Sequence, residues 1–114
     1  MNERSVGTLT EQRAAEYLTA KGLRILEMNY RCRIGEIDII ADAPDGTLVF
    51  AEVKYRRSEL CGLPEEAVGS RKANNIRKAA LWYLTERGLT QDSAMRFDVV
   101  AMDSREIRWY PNAF

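Results

Sequence analysis

Two acids and an amine sit where a small protein would build its core. The stretch "GEIDIIADAPDGTLVFAEVKYRR", Gly35 to Arg57, reads as two β-strands joined by a tight turn. Asp38 lies inside the first strand, and Glu52 and Lys54 lie inside the second. Charged groups on central strands are costly unless they are paired, neutralised or bound to an ion. Glu52 and Lys54 are two residues apart, so they emerge on one face, separated by roughly 7 Å of strand. A hairpin turn can bring Asp38 beside them. Two carboxylates can hold a divalent cation, and such an ion lowers the pKa of water and stabilises charge on a phosphate under in-line attack. A neighbouring lysine can orient the water or neutralise the developing charge. The competing reading is an inter-strand ion pair between Lys54 and Asp38 or Glu52, because D…E-x-K is a loose pattern.

Composition narrows the chemistry. The chain has no histidine, which excludes a Ser-His-Asp triad, a Cys-His pair and His-ligated metal. Any metal chemistry must rest on carboxylates, which suit hard cations such as Mg²⁺ or Mn²⁺. Cys32 and Cys61, the only cysteines, form no C-x-x-C pattern and suggest neither a disulfide framework nor a zinc site. The 17 basic and 17 acidic residues cancel, which argues against a generic polycation coating nucleic acid. Between Lys54 and Lys78, however, Lys54, Arg56, Arg57, Arg71, Lys72, Arg77 and Lys78 face only Glu59, Glu65 and Glu66. Folding can gather that local excess into a basic surface or leave it scattered and solvated.

At 114 residues the chain suits one domain, 1–114, with a single core. No run approaches a membrane span and "MNERSVGTLTEQRAAEYL" lacks a signal-peptide core, so a cytoplasmic location is expected. Thr8 and Glu11 fit a capping box for a first helix with Ala14, Tyr17, Leu18 and Lys21 on one face and Gly22 as its stop. A strand from about Leu23 to Tyr30 follows. In the next strand, alternation points Ile37 and Ile39 one way and Glu36, Asp38 and Ile40 the other. "APDGT" supplies the turn. Then Leu48, Phe50, Glu52 and Lys54 share one face and Val49, Ala51 and Val53 the other, the pattern of a covered central strand. Pro64 opens a short helical turn in "LPEEAV". Ser70 caps a long helix that buries Ala73, Ile76, Ala80, Tyr83 and Leu84 and ends at Gly88. "AMRFDVVAM" and "EIRWYP" supply two last strands. The order α-β-β-β-α-β plus a terminal strand predicts an α/β fold with a mixed sheet flanked by helices.

"GEIDIIA" followed by "FAEVKYR" resembles the PD-(D/E)XK nuclease superfamily and its restriction-endonuclease-like fold. The whole chain is similar to the YraN family of bacterial proteins. That resemblance rests on "AAEYL" in the first helix, "NYRCRIGEIDIIA", "FAEVKYR", "PEEAV", "RKANNIRKAALWYL" and "RFDVVAM", from Gly7 to Met102. Archaeal Holliday-junction resolvases show a similar order. The resemblance implies that Asp38 and Glu52 are catalytic metal ligands for Mg²⁺ or Mn²⁺, that Lys54 is the catalytic lysine, and that Glu11 is the helix-borne acid. Glu16 is the rival for that last role, but it lies opposite the apolar face. Lys72 matches a basic position that touches phosphate. The residue before Asp38 is Ile37, where the named motif has proline, a position that varies widely in the superfamily.

The implied function is a metal-dependent endonuclease acting on DNA, with branched or structured DNA implied by the likeness to resolvases. A homodimer would supply the two sites that symmetric junction cutting needs. The alternative is a non-catalytic nucleic-acid-binding or adaptor module that keeps the nuclease fold; a protein–protein interaction domain with a structural ion pair is a third reading. Arg56, Arg57, Arg71 and Arg77 are expected at backbone phosphates or as plain surface charge. Trp82, Trp109 and Tyr110 are expected to stack on bases or, more simply, to pack. Asp98 is expected to pair with an arginine or a backbone amide, and Glu36 to be solvated or salt-bridged.

Overall fold

The computed structural model describes residues 6–55, 69–90 and 93–114. Helix α1 spans Val6–Ala20 and is followed by three strands, β1 Arg24–Arg31, β2 Glu36–Asp42 and β3 Leu48–Tyr55. Helix α2, Ser70–Glu86, precedes β4, Met95–Met102, and β5, Ile107–Tyr110. The element order is the one the sequence predicts. The strands form one five-stranded sheet in the order β1-β2-β3-β4-β5. Only β3 and β4 run parallel, because α2 lies between them in the chain and returns it to the starting edge of the sheet, as a parallel pair requires. "LPEEAV" with its Pro64 lies outside the described residues.

The sheet is covered on both faces. On one side Ala14, Ala15 and Leu18 of α1 pack with Ile39, Ala41, Val49, Ala51, Val100 and Met102. On the other, Ala73, Ile76, Ala79, Ala80, Tyr83 and Leu84 of α2 pack with Tyr30, Ile37, Ile40, Leu48, Phe50 and Val99. Strand β3 therefore buries both of its faces, which is why it reads as nearly continuous apolar sequence. Phe50 is fully buried at its centre. Its ring meets Tyr83 edge-on with centroids 6.0 Å apart and stacks on Phe97 at 5.5 Å, both favourable arrangements of ring quadrupoles.

Several local expectations change. Helix α1 begins at Val6, so Thr8 lies within the helix rather than at its cap. Helix α2 starts one residue earlier than a Ser70 cap implies: Gly69 is the N-cap, without a side-chain cap bond, and Ser70 is the first helical residue. The C-terminal stop is as expected. Gly88 takes φ +71°, and the Leu89 amide bonds the Leu84 carbonyl at 2.8 Å, closing the last turn through a left-handed residue.

The most consequential departure is in β1 and β2. Ile37 and Ile39 do not share a face. Ile39 packs on the α1 side and Ile37 on the α2 side, as do their cross-strand partners Met28 and Tyr30 respectively. Between Met28 and Tyr30, Asn29 takes φ +56°. A left-handed residue breaks strict alternation, and asparagine tolerates that conformation better than most residues. The ladder between β2 and β3 runs from Asp42↔Leu48 only to Ile39↔Ala51. Past that point the two strands separate, while β3 stays paired with β4 as far as Tyr55↔Met102.

Candidate functional site

The separation of β2 from β3 makes the site. Where the ladder stops, the Val53 amide donates to Asp38 Oδ2 at 2.8 Å instead of to a backbone carbonyl of β2. Asp38 therefore satisfies an otherwise orphaned strand amide with one oxygen, which helps offset its burial. Glu52, one residue earlier on β3, shares the face of Leu48 and Phe50 toward α2 and is 3% exposed; Asp38 is 8% exposed. Lys72 Nζ, from the first turn of α2, lies 2.5 Å from Glu52 Oε2. Lys54 Nζ lies 3.9 Å from the same oxygen.

Glu11 enters from the other face of the sheet. It extends the buried stripe of α1 at Ala14, Ala15 and Leu18 by the i+3, i+4, i+7 spacing, and it is half-buried. Its carboxyl lies within the field and hydrogen-bonding reach of Asp38, and the Asn29 side chain also bonds it. The acids thus thread the gap between β2 and β3, from Glu11 through Asp38 to Glu52, and the two lysines stand at the Glu52 end. Glu16 is exposed and accepts from the Gln12 side chain at 3.4 Å, so it takes no part.

This cluster holds more negative charge than its partners balance. Burial and then the charge of Asp38 push the Glu52 carboxyl up to about 7, against the pull of Lys72. Burial, followed by Asp38, also raises Glu11. Desolvation pulls the Lys72 ammonium down, but its hydrogen bond to Glu52 and the charges of Glu52 and Asp38 outweigh that and leave it raised. Crowded carboxylates of this kind take up either a proton or another cation. Asp38 and Glu52 offer hard oxygen donors. Among the described residues no three His, Cys, Asp or Glu side chains form a ready cage for an ion.

The remaining sequence-predicted residues disperse. Arg56 and Arg57 lie outside the described residues. Arg71 is exposed at the start of α2, next to Lys72. Arg77 bonds the Asn74 side chain at 3.2 Å and lies over the rings of Phe97 and Phe114. Glu36 pairs with Arg31 at 3.5 Å. Asp98 is wholly buried and bound by Arg96, by the Trp109 indole N–H at 2.9 Å and by the Asn112 amide at 2.8 Å; both expectations for these acids hold. The residue that sequence reasoning missed is Asn29. Its signal was an asparagine inside a strand, where asparagine is disfavoured.

An α/β domain with a mixed sheet, whose central strand carries a Glu-x-Lys pair with its glutamate buried beside an aspartate of the neighbouring strand, is the class that fold and site define. The model of the uncharacterised protein family UPF0102 matches residues 10–102, and the chain belongs to that family, the YraN family. A UPF0102 protein of Lachnoclostridium phytofermentans is 47% identical over 114 residues, covering 100% of this chain and 96% of that one. One from Syntrophus aciditrophicus is 57% identical over 96 residues, covering 84% of this chain and 74% of that one. Among solved structures, a repair endonuclease from Pyrococcus abyssi is similar with a TM-score of 0.49 and 18% identity, over 92% of this chain and 41% of that one. An EndoMS–dsDNA complex is similar with a TM-score of 0.43 and 20% identity, over 83% of this chain and 37% of that one. Among the described residues no helix is long and apolar enough to cross a membrane.

Proposed function

We propose that this chain is a Mg²⁺- or Mn²⁺-dependent phosphodiester hydrolase acting in the cytoplasm on DNA, with branched or structured DNA as its substrate and a homodimer as the assembly that presents two sites. The observation that carries this reading is the charge balance at the separated end of β2 and β3. Asp38 and Glu52 are buried within each other's field, and their shared deficit of positive charge is what a divalent cation relieves. Mg²⁺ is usually bound by one or two carboxylates together with substrate phosphates rather than by an all-protein cage, so this donor pair fits the ion.

When bound, the ion lowers the pKa of water and neutralises charge on the phosphoryl oxygens. Asp38 and Glu52 would hold it, with Glu11, on the far side of Asp38, as an outer or additional ligand. Lys54, beside Glu52, orients the attacking water or meets the charge that develops on phosphorus. With a divalent ion held at Glu52, the Lys72 ammonium now paired with it would be available to a phosphate. Arg71, with Arg56 and Arg57, adds charge along the backbone of the nucleic acid.

One observation favours a second reading. The 2.5 Å bond between Lys72 and Glu52 suits a structural ion pair in a non-catalytic binding or adaptor module. A cleavage panel of linear, flap and junction DNA with Mg²⁺, Mn²⁺ and EDTA arms separates the two. Metal-dependent turnover that disappears in Asp38→Ala, with the circular-dichroism spectrum unchanged, is the expected result. If a clean Asp38→Ala preparation cut as fast as the parent, the assigned site would be wrong. Salt-sensitive binding without turnover on every substrate would establish the module instead.

A further inference from the structure

On the solvent face of α2, downstream of the site, Ile34, Lys78, Leu81, Trp82, Thr85 and Glu86 line an open groove of about 620 Å³. Trp82 is 38% exposed and its ring is held in place. The indole N–H donates to Glu86 Oε2 at 3.2 Å, and the other Glu86 oxygen accepts from the Tyr30 hydroxyl at 2.7 Å. The only acid of the groove thus has both oxygens engaged, while Trp82 keeps part of its surface in water.

The cations follow a line. Arg71, Lys78 and Trp82 are spaced i, i+7, i+11 and so share one stripe of the helix. Lys78 and Arg71 are exposed, and Arg71 adjoins Lys72, whose ammonium is on Glu52. Beside this stripe, the turn joining β1 to β2 approaches so closely that a Cβ on Gly35 would lie 3.6 Å from Asn75 Cβ. The turn carries exposed Arg33 next to Ile34. From Trp82 to Lys72 is ten residues, about 15 Å of helix.

We infer that this groove binds single-stranded DNA, with an unpaired base stacked on Trp82 and its backbone led past Lys78 and Arg71 to the carboxylate site. An aromatic platform beside a track of cations is how strands without paired bases are held. Within a duplex the base faces are already stacked and offer nothing to the indole. Three apolar side chains, Ile34, Leu81 and Trp82, with cations around them, suit a polyanion better than a second protein, whose stable interface needs roughly 1,200 Å² or more. The inference rests on the hydrolase reading for the direction of the strand and sharpens it: the substrate carries unpaired nucleotides next to the scissile phosphate.

The test is binding rather than cleavage. Fluorescence anisotropy with a labelled oligothymidine and with a labelled duplex of equal length, both in EDTA, is measured for the parent, Trp82→Ala and Trp82→Phe. Trp82→Ala should weaken single-strand binding about tenfold or more, Trp82→Phe should restore most of it, and duplex affinity should stay within about twofold. Unchanged single-strand affinity in Trp82→Ala, or an equal loss on both probes, overturns the inference. So does a loss of oligomeric mass in light scattering with single-strand affinity intact, which assigns the groove to a second copy of the chain. Asp38→Ala serves as the control: if it keeps oligothymidine binding while the parent shows no cleavage of any substrate, the hydrolase reading fails and the groove stands.

Discussion

Among the described residues carboxylates are buried at Asp98, at Asp103 and at the pair Asp38 and Glu52, and the first and last of these solve the problem in opposite ways. Asp98 on β4 has no exposed surface, and both of its oxygens are fully used. The Arg96 guanidinium grips them at 3.0 and 3.2 Å, Trp109 donates an indole N–H and Asn112 a backbone amide. One positive charge answers one negative charge, and neutral donors complete the shell. Asp38 and Glu52 are nearly as buried but face each other, with Glu11 behind Asp38. Lysines crowd one end of that group, and burial together with the charge of Asp38 still raises Glu52 and Glu11. Burial alone therefore does not mark a working carboxylate; an unbalanced shell does. Asp98 fastens β4 to β5 and to the chain after it, whereas the cluster at β2 and β3 is arranged to receive something.

The largest expected effects come from exchanging the roles of these two places. Glu52→Gln keeps the shape and removes a charge that its surroundings already disfavour. It should reduce metal-dependent cleavage on the order of a thousandfold while leaving the urea midpoint no lower than that of the parent. Asp98→Ala should do the reverse. It leaves the Arg96 charge half-buried without its partner and should cost about 3–5 kcal/mol of stability. Paired urea titrations and cleavage assays on the two variants would collapse the comparison if Glu52→Gln unfolded the protein, or if Asp98→Ala were neutral.

Proton linkage gives the next effect. Glu52 is held near 7 in the folded chain against 4.5 as its ordinary value. Below pH 4.5 the folded and unfolded forms both carry the proton. Between 4.5 and 7 only the folded form does, so stability falls as pH rises through that window. Above it both forms are ionised and the loss is complete, on the order of up to 3 kcal/mol. Glu11 shifts in the same direction and adds to the slope. Half-buried Asp42 and exposed Asp45 shift downward, so their contribution is lost only at lower pH, as pH falls through their folded values. Melting in EDTA should therefore be lower at pH 8 than at pH 5.5, with the difference reduced in Glu52→Gln and in saturating Mg²⁺. A flat profile for the parent would mean that the crowding is not felt.

Much of this was legible in the sequence because it is local. The alternation of Leu48, Phe50, Glu52 and Lys54, the turn at "APDGT" and the glycine stop of α2 need only neighbouring residues. The Glu-x-Lys pair was visible for the same reason, whereas Glu11 as a site acid came only from the family resemblance. Long-range features were not. That Lys72 reaches Glu52 depends on how α2 crosses the sheet, which no spacing along the helix reports. That Asp38 takes the Val53 amide depends on where two strands part company. Simple alternation put Ile37 and Ile39 together because it assumes an unbroken strand, whereas Asn29 takes φ +56° between Met28 and Tyr30 and the pairing shifts register between Ile25 and Glu27.

Asn29 also yields the smallest and most discriminating effect. It does two things: its backbone at φ +56° turns the end of β1 so that Tyr30 changes sides, and its side chain bonds Glu11. Asn29→Gly removes only the second, because glycine accepts that φ without strain. Asn29→Ala removes both and should cost about 1–2 kcal/mol more than glycine, since a Cβ in the left-handed region meets the following carbonyl. The hydrogen bond lowers Glu11 against the larger upward push of burial and Asp38. Both variants should therefore raise the Glu11 carboxyl further, measured by carboxyl-carbon NMR titration, while only alanine lowers the melting midpoint. If glycine destabilised as much as alanine, the amide rather than the backbone turn would be what holds β1 in place, and the opening between β2 and β3 would need another cause.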